Sequence, residues 1–557
     1  MTSRWIFRAG FLLLVLPIPF LLSTYGFDWV DTFYHFLHYR GWHNKMGGIV
    51  YLYPYLGRPW AELFGLNLLS FKMLDALMLV VMHISVPFYL CREACERSRL
   101  LMASAGIIMS SAIAFFSVGY DSFFCLGVSI VVLTAWRYVR HGGWGPSLLL
   151  GGLTALITAI RFPGLSMVGP VILLMVSTIP LQGRTWRVVV LHVAAYLASL
   201  FLVYSLLFKI YAIPATFRPV TASPVGIYEY LRLCMSEESS SNHPLRLTLY
   251  RYLRDAGLIG YNMAVLSSVF GLWYFFRDRF SKPILWDGAM TTLFVIGLYI
   301  ITRPTSGWHF PMSLAVASSG YLLGGVATGL SWKSGRRDWV HISLFLFCAS
   351  FVPMAGSNTG LIKTALLLSY AAPVFFYFCL QQVPPRVGRF LCTLAVVMTC
   401  FCLYYKLFEG KLLMDGRIPE MTAQVDDARL KNVNTTPERK AAIEELLAAV
   451  ARNRARSEDD SVMYYGNESY IFRYLDPAPS YIRTHFTMFY DDEGDVANFG
   501  RWLAGKSRRP LVVLIFAYPE NVRKLDAKGI DRHLQGRGYA LLETGSFFKV
   551  YAAGDPR

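Results

Sequence analysis

Apolar blocks of about twenty residues, nearly free of charge, recur along this chain, and no other feature limits its fold so sharply. Blocks of that length exceed a buried core helix and call for a lipid solvent, in which each backbone must satisfy its own hydrogen bonds by forming a helix. Across 557 residues, 55% are hydrophobic and only 16% charged. Soluble proteins carry about 25% charged residues, so the several soluble domains that the length alone suggests are excluded. About thirteen blocks are candidate membrane helices or half-helices. They lie at 5–25, 71–90, 100–118, 122–138, 147–160, 164–180, 188–208, 258–276, 288–302, 309–330, 340–355, 361–381 and 390–408. The expected fold is a polytopic α-helical membrane protein of about 11–13 spans, followed by a C-terminal α/β domain. The first block, Trp5–Leu22, lacks a small-residue cleavage site and reads as a retained helix.

Charge gives these helices a direction. The net charge of +17 sits in short loops between blocks, such as Arg184 to Arg187, Arg277 to Lys282 and Lys333 to Arg337. With the N-terminus in the cytoplasm every even loop is basic, as the positive-inside rule requires. No basic stripe with a nucleic-acid-reading motif is present, so no nucleic-acid partner is expected. An odd number of crossings places the tail on the outer face, periplasmic if the membrane is a bacterial inner membrane. The nine cysteines lie mostly in apolar blocks, with Cys91 and Cys95 in a cytoplasmic loop and Cys234 alone in an external one, and form no disulfide framework. Two external loops are long, 26–70 and 209–257, and loops above about fifteen residues are usually functional or disordered. The first is rich in Trp, Tyr, Phe and His, which suits helices lying at the interface.

Three regions follow: a membrane domain at 1–410, a linker at 411–434 and an α/β domain at 435–557. In the last, a helix is expected over Glu438 to Arg454, a strand over Val462 to Tyr465 and a helix over Asn467 to Tyr474. A buried strand at Pro510 to Phe516, a helix near Pro519 to Lys528 and a hairpin of 540–542 with 547–551 complete it.

The informative ionisable groups lie at the outer ends of the blocks, where burial near lipid demands a partner or a task. Asp28 and Asp31 follow the first helix, and Asp121 stands in Gly119-Tyr120-Asp121-Ser122. The plain reading of Asp121 is a helix N-cap, and that of the first pair is solvation of a helix end. Arg58, Arg161, Arg303 and His309 are placed to share a cavity with them. Carboxylates deprotonate hydroxyls or hold a metal, and guanidinium groups grip phosphate. Arg161 also reads as a snorkelling interface residue, and His309 as an aromatic-belt histidine. Ser357-Asn358-Thr359 reads as a capping turn. Asp491-Asp492-Glu493-Gly494-Asp495 lacks calcium-loop spacing and reads as a solvated turn.

In order and type of these features, 1–410 resembles the C-type (GT-C) membrane glycosyltransferases, in particular the protein mannosyltransferase and aminoarabinose transferase branch. The resemblance implies an essential acidic residue in the first external loop, matched by Asp31 or Asp28. It implies a Tyr/Pro-rich stretch with a phosphate-side basic residue, matched by Tyr53-Pro54-Tyr55-Leu56-Gly57-Arg58-Pro59, and a second acidic residue after the third helix, matched by Asp121. Gly151-Gly152-Leu153 through Arg161-Phe162-Pro163-Gly164 looks like the family's Gly-rich helix and basic-Pro turn. Arg303-Pro304 with Trp308-His309-Phe310-Pro311 looks like a later external loop. One departure is clear: the family's adjacent Asp-Glu pair is Asp-x-x-Asp here, which leaves the base open between Asp28 and Asp31.

The expected activity is transfer of a sugar from a polyprenyl-phosphate donor to a lipid, glycan or protein acceptor at the outer face. Asp31, Asp28 and Asp121 are the catalytic candidates, and Arg58, Tyr55, Arg161, Arg303 and His309 the substrate-binding ones. A divalent cation, Mg or Mn, held by Asp28, Asp31 and Asp121 is compatible with the family. Two other classes fit the membrane pattern, a flippase of lipid-linked saccharides and a polysaccharide polymerase. The first of these is marked by repeated halves and charge at mid-membrane, and neither appears in the sequence.

Overall fold

A computed structural model describes residues 2–27, 31–40, 52–114, 116, 119–178, 185–210, 245–280, 282–303, 311–354, 360–411, 415–457, 461–466, 469–476, 509–515 and 530–554. The helices of the membrane part are α1 (Thr2–Gly10), α2 (Ile18–Leu22), α3 (Asp31–Tyr39), α4 (Tyr53–Phe64), α5 (Leu68–Leu90), α6 (Glu96–Ile113), α7 (Tyr120–His141) and α8 (Trp144–Ile160). They continue with α9 (Val168–Ser177), α10 (Trp186–Ile210), α11 (Leu245–Phe276), α12 (Pro283–Ile301), α13 (Pro311–Lys333), α14 (Arg337–Ser350), α15 (Thr364–Leu380) and α16 (Pro385–Tyr404). Among the described residues nine helices are long and apolar enough to cross a membrane, the first running over Trp5–Leu22 through a π-helical turn at Phe11–Val15. The shorter α8, α9 and α14 and the less apolar α6 take up the remaining expected blocks.

Burial sorts the bundle into layers. The 360–380 segment has 72% of its apolar window buried, whereas the first span has 17%. Apolar side chains of the first span and of α10, α11 and α12, among them Leu13, Leu202, Phe275 and Ile284, point outward. Outward apolar side chains on peripheral helices suit a lipid surround, where Leu gains nothing from being hidden. Small residues set the close crossings inside. A Cβ at Gly151 of α8 would stand 2.2 Å from the Tyr196 carbonyl of α10, so only glycine permits that approach.

Polar contacts divide the bundle into two chemically different ends. At one, the short loops meet: Arg8 pairs with Glu96 at 2.6 Å, Glu93 with Arg140 and Arg336 at 2.9 and 3.1 Å, and Asp278 with Arg386 at 2.8 Å. At the other end lie α3 and α4 and the termini of α7, α8, α11 and α15.

The C-terminal unit adds α17 (Pro437–Asn453), β1 (Val462–Tyr465), α18 (Ser469–Leu475), β2 (Leu511–Ile515), α19 (Ile530–Gln535), β3 (Tyr539–Thr544) and β4 (Phe548–Ala553). Its sheet has the order β1-β2-β4-β3, with β1 and β2 parallel and the other pairs antiparallel. Thr436 caps α17 by accepting from the Arg439 N–H, with Pro437 at the first helical position. Residues 411–434 are not a free tether: Asn434 bridges to Tyr25 and Thr435 to Ala423. Cys234, the 357–359 turn, the acidic run 491–495 and the helix expected at 519–528 lie outside the described residues.

Candidate active site

Asp121 is the second residue of α7, after Gly119, and no side-chain cap closes that helix. The expected N-cap role gives way to ion pairing. One carboxylate oxygen, Oδ1, accepts from Arg161 Nη1 at 2.8 Å, and the other, Oδ2, accepts from Lys363 Nζ at 2.7 Å. Arg161 ends α8 in an extended conformation (φ −154°, ψ 123°), which turns its side chain out of the helical path into the bundle. Only 8% of that side chain is exposed, and Nη1 also donates to the Pro353 carbonyl at 2.7 Å. The snorkelling reading is therefore replaced by an inward guanidinium.

Lys363 ends a 3-10 turn, Gly360–Lys363, whose position is fixed from α11. Asp255, fully buried, accepts the Leu361 N–H at 3.0 Å and pairs with Arg254 at 2.8 Å through its other oxygen. Gly360 has φ +78°, and a Cβ there would stand 2.0 Å from Asp255 Oδ2. Tyr252 donates to the Met354 carbonyl at 3.0 Å. The described ends of the connection between α14 and α15 are thus placed so that the Pro353 carbonyl and Lys363 converge on Arg161 and Asp121.

Helix α3 closes the same region. The His35 ring lies against the backbone of Gly119, where a Cβ would come within 2.2 Å of Nε2. Its Nδ1 hydrogen-bonds the Tyr53 hydroxyl at 2.8 Å. Burial, and then the neighbouring His38, push the His35 imidazole down to about 3, against the opposing pull of Asp121. A neutral ring therefore stands beside the two cations. Asp31 is the first residue of α3, so positions 31 and 35 share one face of the helix by its period. Leu52 N–H donates to the Ala159 carbonyl at 2.9 Å, which fastens the start of α4 beside the end of α8. Just before Asp28, Lys72 Nζ donates to the carbonyls of Tyr25 and Gly26 at 3.0 and 2.7 Å.

No protein-family model matches the chain, and no curated protein matches it in sequence. Among solved structures it is similar to the crystal structure of ArnT from Cupriavidus metallidurans bound to undecaprenyl phosphate. The match is 11% identical, covers 100% of this chain and 99% of that one, and has a TM-score of 0.43.

Of the residues singled out in the sequence, Asp121 and Arg161 meet directly, and Asp31 begins the helix that carries His35. Tyr55 is half-buried on α4. Arg58 projects from the same helix with 68% of its side chain exposed and pairs with Glu62 at 2.9 Å. Among the described residues nothing joins Arg58 to Asp121. Arg303 is exposed just beyond α12, and Asp28 and His309 lie outside the described residues. Lys363, His35, Asp255 and Asp75, the last of which faces Ser122, were not singled out as site residues, and Tyr53 was named only as part of the Tyr/Pro-rich stretch. Part of their signal was available: Lys363 and Asp75 lie inside apolar blocks, where ionisable groups demand partners, and His35 follows Asp31 by four residues.

A divalent cation does not fit Asp121 as it stands. Each carboxylate oxygen already accepts from a cationic side chain, and those two positive charges repel a further cation. Among the described residues no group of three His, Cys, Asp or Glu side chains forms a metal cluster.

Proposed function

We propose that this protein is a membrane glycosyltransferase that moves a sugar from a polyprenyl-phosphate donor to an acceptor at the outer face of the membrane. The observation that carries the reading is the Asp121–Arg161–Lys363 cluster, two cations around one carboxylate, next to the first-loop helix that begins at Asp31. Three features far apart in sequence, and named independently in the family pattern, supply Asp121, Arg161 and α3. The cluster keeps a surplus positive charge in a poorly hydrated setting, where a phosphate gains most from guanidinium and ammonium donors.

In this reading Asp121 is an organiser. Its carboxylate holds Arg161 and Lys363 apart from each other and aims them at the lipid phosphate, and their charge stabilises that phosphate as it departs. The acceptor hydroxyl attacks the anomeric carbon, the bond from that carbon to the phosphate oxygen breaks, and the proton passes to a first-loop carboxylate, Asp31 or Asp28. The basic loops at the opposite end then face the cytoplasm, as the positive-inside rule favours.

The test uses purified full-length protein with a panel of polyprenyl-phosphate sugars and follows release of the free lipid phosphate. Release by the parent protein that is lost in Asp31→Asn or Asp28→Asn supports the reading. Movement of intact donor across vesicles without release supports a flippase and sinks it.

A further inference from the structure

The chain segments flanking the first external loop, 24–27 and α3, are gripped by the linker and the C-terminal unit. On its N-terminal side, the Gly26 N–H donates to the Asn434 carbonyl at 2.7 Å and the Asn434 N–H to the Thr24 carbonyl at 2.8 Å. The Phe27 N–H donates to Asp415 Oδ2 at 3.3 Å, and the same carboxylate accepts from Thr435 at 2.8 Å. On its C-terminal side, α18 lies against α3. Tyr474 packs on Phe33 and Phe36 with ring centroids 5.5 and 5.2 Å away, and Tyr470 packs edge-on against Tyr34 at 5.4 Å.

Tyr474 is tied down in turn. Its hydroxyl donates to the Leu66 carbonyl at 2.5 Å, just before α5. Arg40, at the end of α3, lies 4.3 Å over its ring and donates to its carbonyl at 3.2 Å. Arg429 donates to the carbonyls of Tyr474 and Leu475, each at 2.8 Å, and is itself held by Asp427 at 2.6 Å. The Leu68 N–H donates to the Arg429 carbonyl at 2.8 Å. An appended domain that merely captured an acceptor would need none of these ties to the loop preceding Asp28 and to the helix beginning at Asp31.

We infer that the linker and the C-terminal unit together position the reaction site, with Tyr474, Arg429 and Arg40 as positioning residues that hold α3, and hence Asp31, in register with the Asp121 cluster. This rests on the transferase reading above, and the two are separable by experiment. A helix that lies across the site and is held mainly by aromatic contacts is free to tilt when those contacts loosen. Displacement of a reacting group by about 1 Å costs up to about a hundredfold in rate.

The experiment compares full-length parent protein with Tyr474→Phe, Arg429→Gln and the pair Arg40→Gln/Arg429→Gln in detergent. Hydrogen exchange of the 31–40 amides is read first, since it needs no substrate. Exchange about tenfold faster in the paired variant is expected, consistent with loss of charge-assisted hydrogen bonds, with exchange in α7 and α15 unchanged. Transfer is read second: kcat falls about tenfold or more, while the donor KM stays within about twofold. Tyr474→Phe, which keeps the ring and loses only the hydroxyl, falls between the parent and the pair.

Unchanged α3 exchange in every variant overturns the inference, as does faster exchange with kcat at the parent level. A parent protein that transfers nothing from any donor defeats the transferase reading and, with it, the catalytic role assigned to these residues. The hold on α3 itself is then decided by exchange alone.

Discussion

Asp121 sits where two opposite demands meet: it must be ionised to hold Arg161 and Lys363, and it must be partly screened from water to matter to them. Removing one partner of such a pair is costlier than the pair is worth, about 3 kcal/mol or more. Arg161→Gln is therefore expected to lower the thermal unfolding midpoint in detergent, because it also leaves the Pro353 carbonyl without its guanidinium donor. Lys363→Met is expected to weaken binding of the proposed polyprenyl phosphate, read by native mass spectrometry, by about tenfold or more, in line with loss of one charge-assisted contact. A Lys363→Met protein that binds the lipid phosphate as tightly as the parent removes Lys363 from the site. His35 gives a pH test whose sign follows from its depressed value. The unfolded chain binds a proton at this position near 6.5 and the folded chain only near 3. Stability from a neutral His35 is present above about 6.5 and is lost as pH falls toward 3. Parent protein should lose thermal stability through that window more steeply than His35→Asn, and equal slopes would contradict the buried neutral ring.

At the scale of elements, Gly151 and Gly152 make a matched pair. A Cβ at Gly151 meets the Tyr196 carbonyl at 2.2 Å, whereas one at Gly152 finds its nearest neighbour at 3.6 Å. Gly151→Ala should destabilise the α8–α10 crossing by about 1–3 kcal/mol. Gly152→Ala should be neutral or stabilising by up to about 1 kcal/mol, since alanine is the better helix former. Thermal midpoints measured side by side decide it. The helices themselves were legible in the sequence, because an apolar block of sufficient length has one way to satisfy its backbone in lipid. Half of the site was legible as well, since Asp121 and Arg161 were singled out by their places at block ends. Lys363 shows in the sequence only as a charge in need of a partner, and which partner it meets does not show, because nothing tells that the turn at Gly360 is drawn onto Asp255 of a helix a hundred residues earlier. The Tyr/Pro-rich motif splits across α4, with Tyr53, Pro54 and Gly57 buried and Arg58 exposed, a division residue order does not record.

The whole molecule is a helical bundle with two unlike ends and a C-terminal unit seated on one of them. The loop arginines, by the positive-inside rule, lead us to expect a direction that the bundle's own contacts leave open. A periplasmic-type reporter enzyme fused to the C-terminus should be active, and the same reporter placed in the Lys333–Arg337 loop inactive. The reverse pattern would put the site on the cytoplasmic side and undo the assignment of an outer-face donor. Residues 411–434 illustrate what a sequence conceals at this scale. They are expected to be a linker, and among their described residues Asn434 pairs with Tyr25 and Asp415 with Phe27, next to the first external loop. The central claim is that this end of the bundle transfers a sugar from a lipid phosphate under control of a first-loop carboxylate. The most direct measurement is release of free polyprenyl phosphate from a polyprenyl-phosphate sugar by purified parent, Asp28→Asn, Asp31→Asn and Asp121→Asn proteins. The account predicts release by the parent, near-complete loss in one of the first two variants, and partial loss in Asp121→Asn. Full release by all three variants would contradict it.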